Sequence, residues 1–318
     1  MDSQPTPFSE LGVAPQGDLP VPDIARAAAP QDLSQLGLPQ ESLAQPIAPP
    51  EPEGPWLENP VWTGLDLLLL GVVFLLGIVL FSAVAAIVLR STHHQGIDPV
   101  THAPSVWIAV PAMGAAYLEM FAVLYLLARK RRVPMWSALS WNWPSGRRCA
   151  GLTFGGMTLA IVAGVLDKLL PVPKSLPIEE IFLQPGAPQL LAIFGVAIAP
   201  IVEETLFRGL LYPITNRWFR KILLRAKLFS EDRATRLGIG LSFFFTAMAF
   251  ALVHSSQLGN AWAPVLVLFL VSSVLTFTRA YTKSLASSFL IHCAYNSMLF
   301  GAMYFATDHF RHLEQVGR

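Results

Sequence analysis

Charge is scarce in this 318-residue chain: Asp, Glu, Lys and Arg make up 14% of it, against 53% hydrophobic residues. A soluble domain carries about 25% charge. A chain this poor in charge cannot cover its surface for water, which excludes an ordinary globular domain. The net charge of +1 says nothing about nucleic acid, because the charges are segregated by segment rather than pooled; no nucleic-acid partner is expected. Cysteine is nearly missing too. Cys149 and Cys293 are the only two; both border or lie in apolar runs, which argues against a disulfide framework, and neither has metal-ligand spacing. Basic residues are scarce at the start, where the first 60 residues hold one, Arg26, beside nine acidic residues and 13 prolines. No apolar stretch follows a basic start, so this is not a cleavable signal peptide. Low hydrophobicity with excess charge and proline cannot offset the entropy of ordering. Residues 1–58 therefore read as a disordered, acidic, Pro-rich tail, either solvated or available to a partner.

What is present is apolar sequence in long runs. A membrane-spanning helix needs about 20 mostly apolar residues. Seven segments qualify, roughly 62–89, 105–128, 149–166, 188–214, 237–257, 262–279 and 284–306. The expected fold is all-α, a polytopic transmembrane helix bundle with the lipid bilayer as its solvent. Pro111 and Pro200 fall inside spans, where neighbouring helices can re-satisfy the carbonyls that a proline frees. The connections alternate in charge. Arg129, Lys130, Arg131, Arg132, Arg147 and Arg148 make the second basic, Arg217 to Arg236 the fourth, and Arg279 and Lys283 flank the sixth. The positive-inside rule then puts the N-terminus of this multi-pass cell-membrane protein in the cytoplasm and the C-terminus outside. Trp56, Trp62, Trp107, Trp136, Trp141, Trp143 and Trp262 lie near span ends, where aromatic belts form.

Ionisable groups inside spans cost about 2.5–3.5 kcal/mol each on insertion scales, and they ask for a reason. The fourth span contains Glu203-Glu204-Thr205-Leu206-Phe207-Arg208. Glu204 and Arg208 are four apart and share a helical face, so they can pair. A purely structural ion pair accounts for those two. It does not account for Glu203, which points about 100° away. The fifth span ends in Phe250-Ala251-Leu252-Val253-His254, and the seventh carries His292-Cys293-Ala294-Tyr295-Asn296. His292 and Asn296 again share a face. Polar groups in lipid turn inward and find each other, so one pocket lined by Glu203, Glu204, His254, His292 and Asn296 is expected.

These three motifs, Glu203-Glu204-x-x-x-Arg208, Phe250-x-x-x-His254 and His292-x-x-x-Asn296, resemble those of the CAAX-prenyl-protease and bacteriocin-processing (CPBP) membrane proteins. The resemblance covers about residues 105–306, with 59–104 as a first span and external loop and 307–318 as a C-terminal tail. It implies an intramembrane endopeptidase acting on a peptide or membrane-associated protein. Glu203 and His254 would activate a water, His292 and Asn296 would stabilise the oxyanion, and Glu204 and Arg208 would orient the site, with no cofactor. A zinc enzyme using Glu203, Glu204, His254 and His292 as ligands is the alternative. A transporter or a non-catalytic scaffold is the reading from another class, although no internal repeat of the kind transporters carry is evident. His93, His94, His102, His309 and His312 read as ordinary loop and tail residues.

One difficulty is geometric. At about 1.5 Å per residue, Glu203 lies roughly 20 Å from Arg217, His254 roughly 27 Å from Arg236 and His292 roughly 13 Å from Lys283. Taken as depths below one basic face, these distances disagree, so convergence requires tilt, kinks such as one near Pro200, or span edges other than those assigned.

Overall fold

The computed structural model describes residues 60–91, 105–173, 176–227 and 229–312. The acidic tail and the loop histidines His93, His94 and His102 fall outside them. The fold is all-α, with no strand among the described residues. Its helices are α1 (Gly64–Ser91), α2 (Val106–Lys130), α3 (Met135–Ala138), α4 (Gly146–Leu169), α5 (Pro177–Phe182), α6 (Ala187–Arg225), α7 (Glu231–Val253), α8 (Trp262–Thr282) and α9 (Leu285–Ala306). Seven of them (α1, α2, α4, α6, α7, α8 and α9) are long and apolar enough to cross a membrane. They coincide with the seven predicted spans, with two differences of substance. The fourth runs on to Arg225 as a continuous helix of 39 residues. The fifth stops at Val253, which leaves His254 as its C-terminal cap rather than inside it.

In lipid, helices associate through close packing and interhelical polar contacts, since apolar side chains gain little by leaving hydrocarbon for protein. One apolar cluster joins α1, α2 and α6 around Leu70, Met120, Leu124 and Leu210, and a second joins α4, α8 and α9 through Ala163, Val267, Val271, Leu275 and Ile291. The α4–α9 contact is a backbone approach. A Cβ on Gly156 would collide with the carbonyl oxygen of Ile291 and sit 2.7 Å from the Cβ of Ala294. Those two residues flank His292, so a missing side chain on α4 sets the position of a pocket residue on α9.

The depth difficulty resolves through α6 and α7, an antiparallel hairpin joined by a short connection. Thr215 meets Ser242 at 2.7 Å, Phe207 meets Phe250 with ring centroids 5.0 Å apart, and Glu203 meets His254 at 3.7 Å. Both members of each pair stand at the same chain distance from the turn. Glu203 lies about 33 Å from Arg225, and His254 about 34 Å from Glu231. Their equal heights therefore follow from the register of the hairpin. The α8–α9 turn is at another level, because His292 is only about 10 Å from Leu285. That turn tucks under the α3 segment, where the Leu285 amide donates to the Ser140 carbonyl at 2.9 Å and the Ser284 hydroxyl to the carbonyl of Asn142. Arg279, grouped by sequence with the loop charges, is 1% exposed inside the bundle. The flanking cations therefore mark different levels, and the assumption of a common one fails.

Gly156→Val tests the α4–α9 contact. Overpacking of this kind costs about 1–3 kcal/mol, so the thermal midpoint in detergent should fall. Gly155→Val, at the adjacent glycine, where a Cβ would meet nothing within 4 Å, should leave it unchanged.

Candidate active site

Glu203 and Glu204 are adjacent on α6 and meet opposite fates. Glu204 is fully buried, and its Oε1 accepts from Arg208 Nη1 at 2.9 Å and lies 2.9 Å from His292 Nδ1. Arg208, equally buried, has a donor committed on every side. Nη2 donates to the Ser272 hydroxyl at 2.6 Å and its carbonyl at 3.1 Å, and Nε donates to Thr276 Oγ1 at 3.3 Å. The guanidinium lies over the Phe250 ring, 4.6 Å from its centroid, a cation–π contact strengthened by desolvation. A charge pair out of water is costly unless further hydrogen bonds support it; those of Arg208 are met in this way, while Oε2 of Glu204 is buried without a hydrogen-bond partner among the described residues.

Glu203 faces the other way. Its Oε1 is 3.7 Å from His254 Nε2 and its Oε2 is 3.6 Å from His292 Nε2. Both separations exceed direct hydrogen-bond range and suit a small bridging group. The Glu203 side chain is 20% exposed and that of His254 18%, whereas Glu204 and Arg208 are at 0%. Only the first pair can be reached by a solvent or substrate molecule.

The ring nitrogens can be assigned from their partners. His254 Nδ1 lies 2.8 Å from the Phe250 carbonyl oxygen. A carbonyl only accepts, so Nδ1 carries a proton, and Nε2 is the nitrogen turned toward Glu203. His292 is held alike, Nδ1 on the Glu204 carboxylate and Nε2 toward Glu203. Phe250 packs on both imidazoles, with ring centroids 4.6 Å from His254 and 5.9 Å from His292.

Two π-helical turns, Phe194–Ile198 and Thr205–Leu211, bracket the glutamates. In the first, the Ala199 amide reaches back to the Phe194 carbonyl; in the second, the Tyr212 amide reaches back to Phe207. The next carbonyls, Gly195 and Arg208, would accept from positions 200 and 213 in that register. Both positions are proline, which has no N–H. Side chains from other helices serve the two carbonyls instead. Asn296 Nδ2 donates to Gly195 at 2.6 Å, and Arg279 Nε donates to Arg208 at 3.2 Å. Such π-turns commonly mark functional sites.

The structure thus brings Glu203, Glu204, Arg208, His254 and His292 into one cluster. It sets Asn296 one turn along α9 from His292, with its amide on α6. Sequence reading missed Ser272, Thr276 and Arg279, although they recur at i, i+4 and i+7 on an apolar helix, a polar stripe at helical spacing. Among the described residues, no group of three or more His, Cys, Asp or Glu side chains is arranged to hold a metal ion. Glu204, one of the four ligands of the zinc alternative, has its Oε1 between Arg208 and the Nδ1 of His292.

The chain is a polytopic helical membrane protein with a carboxylate–imidazole cluster buried among its helices. Residues 185–298, which carry all three motifs, match the family described as Type II CAAX prenyl endopeptidase Rce1-like, consistent with the CPBP resemblance and with a membrane protease. Comparison with curated proteins and with solved structures gave no match.

The account of the second π-turn is open to a double-mutant cycle. Arg279→Met should destabilise by about 1–3 kcal/mol, the cost of a stranded buried acceptor. Pro213→Ala restores an N–H at the position facing the Arg208 carbonyl and should recover part of that loss when combined with it. Strictly additive thermal shifts would show that Arg279 serves some other group.

Proposed function

We propose that the chain is an intramembrane endopeptidase that hydrolyses a peptide bond with water activated by Glu203, without a resident metal. The reading is supported above all by one observation: the Glu203 carboxylate stands 3.6–3.7 Å from two imidazole Nε2 atoms, in a cluster that is only partly closed.

In this reaction the water sits between Glu203 and His254. Glu203 accepts its proton as the oxygen bonds to the scissile carbonyl carbon, and His254 holds the water by the lone pair of Nε2. His254 is itself fixed through Nδ1 on the Phe250 carbonyl. The tetrahedral oxyanion faces His292, which donates from Nε2 when protonated at both nitrogens, with its Nδ1 proton on the Glu204 carboxylate. Asn296, with a second amide hydrogen beyond the one given to Gly195, stands on the same face to assist. When the C–N bond breaks, Glu203 returns its proton to the leaving amine. Donors fixed before the reaction carry no reorganisation cost at the moment charge develops. Glu204 and Arg208 keep the assembly in place without touching the substrate.

The family name points to prenylated C-terminal peptides, and a lipidated or membrane-inserted peptide suits a site entered among helices. We place the basic ends of α2, α6 and α7 on the cytoplasmic side, which puts the N-terminus there too. Nucleic acid has no part in this reading.

The test is cleavage of a panel by the detergent-purified protein: farnesyl-cysteine peptides beside unmodified and acylated leader peptides. General base catalysis contributes roughly 10²–10⁴-fold, so Glu203→Gln should lower turnover by that much and leave the thermal midpoint nearly unchanged. A chelator should have no effect. Loss of activity on chelation, restored by zinc, would replace the metal-free route with the zinc one.

A further inference from the structure

The basic end of the bundle carries a second concavity, well away from the glutamates. It lies between the start of α1 and the last turns of α6, has a volume of about 510 Å³, and is lined by Trp62, Gly64, Ile214, Arg217, Trp218 and Lys221, among others. Arg217 and Lys221 are four apart on α6 and so project side by side. Nearby cations are already neutralised: Arg131 pairs with Asp66 at 2.6 Å and Arg220 with Glu231 at 2.6 Å. Arg217 and Lys221 are not. Among the described residues, neither has an ion-pair or hydrogen-bond partner.

The surroundings specify what would neutralise them. Trp218 is 58% exposed beside the two cations, and a half-exposed tryptophan is the side chain that settles at the headgroup level of a bilayer. Below the groove, on the face of α1 that Gly64 begins, Leu68, Val72 and Leu75 are exposed at 63%, 45% and 64%. A ligand that fits is therefore anionic at one end and apolar at the other, with its charge between two cations and its chains along a greasy helix. Basic pockets between transmembrane helices on the cytoplasmic side hold acidic lipid headgroups by this combination. We propose that the groove between α1 and α6 is a binding site for one anionic phospholipid, its phosphate held by Arg217 and Lys221 and its acyl chains lying along α1. The site stands independently of the hydrolase reading, since none of its residues touches Glu203, His254 or His292.

The experiment uses the full chain reconstituted in nanodiscs of phosphatidylcholine mixed with phosphatidylglycerol, then released for native mass spectrometry. The wild type should retain one phosphatidylglycerol in clear preference to phosphatidylcholine. Each cation near a membrane surface contributes about fivefold to binding of acidic lipid, so Arg217→Gln/Lys221→Gln should lower the retained fraction tenfold or more at an unchanged thermal midpoint. The control removes the same charge at the same end of the bundle, in Arg147→Gln/Arg148→Gln, and should retain the lipid as the wild type does. Equal losses in the two double variants would reduce the effect to a diffuse basic belt and overturn the proposal. So would retention indifferent to lipid charge. Displacement of the lipid by millimolar inorganic phosphate would also overturn it, by making the groove a phosphate site with no call for acyl chains.

Discussion

The structure of this site depends on a single carboxylate that water never reaches. Glu204 is shared by the Arg208 guanidinium on its own helix and the His292 imidazole on α9, with Arg208 tied onward to α8 through Ser272 and Thr276. Three helices thus meet on one charge. In a low-dielectric interior an ion depends on its partners, and removing one partner of such a pair typically costs about 3–5 kcal/mol. The helices must therefore keep their mutual positions or strand a charge. That requirement holds His292 in one orientation, with its far nitrogen turned toward Glu203.

The neighbouring glutamate is free to do something else because α6 is not a regular helix. Prolines at 200 and 213 each delete a donor and are accompanied by a π-turn, and the freed carbonyls are taken up by Asn296 and Arg279. These repairs come from α9 and α8, the helices that also hold the charge cluster. The irregularities of α6 are thus the points at which its neighbours grip it. Between them Glu204 turns inward to be neutralised, while Glu203 turns to a partly open space with two imidazoles. The two adjacent carboxylates thus differ in environment, which is what separates the tasks of paired acids in other sites.

Much of this was legible from composition and spacing. The poverty of charge required a lipid solvent, the length of the apolar runs counted the spans, and the i, i+4 spacing of Glu204 with Arg208 foretold their bond. These features are local: each depends on the period of a helix or on the cost of a charge in hydrocarbon, and both act before any helix meets another. The same logic misplaced Arg279. A cation near a span end reads as a loop residue, and only packing shows that it lies 1% exposed beneath a proline-freed carbonyl.

What tertiary structure alone decided is the level at which the helices stand. Sequence spacing gave three incompatible depths for Glu203, His254 and His292, since it treated every flanking cation as a mark of one membrane plane. The hairpin register of α6 on α7, the deeper seat of the α8–α9 turn under Ser140 and Asn142, and the bare backbone of Gly156 against Ile291 set the actual heights. The kinds of residue, their order and their faces belong to the sequence, because a helix repeats every 3.6 residues wherever it lies. The meeting of an acid and two imidazoles belongs to the fold, because offsets between helices are fixed by contacts among residues far apart in the chain.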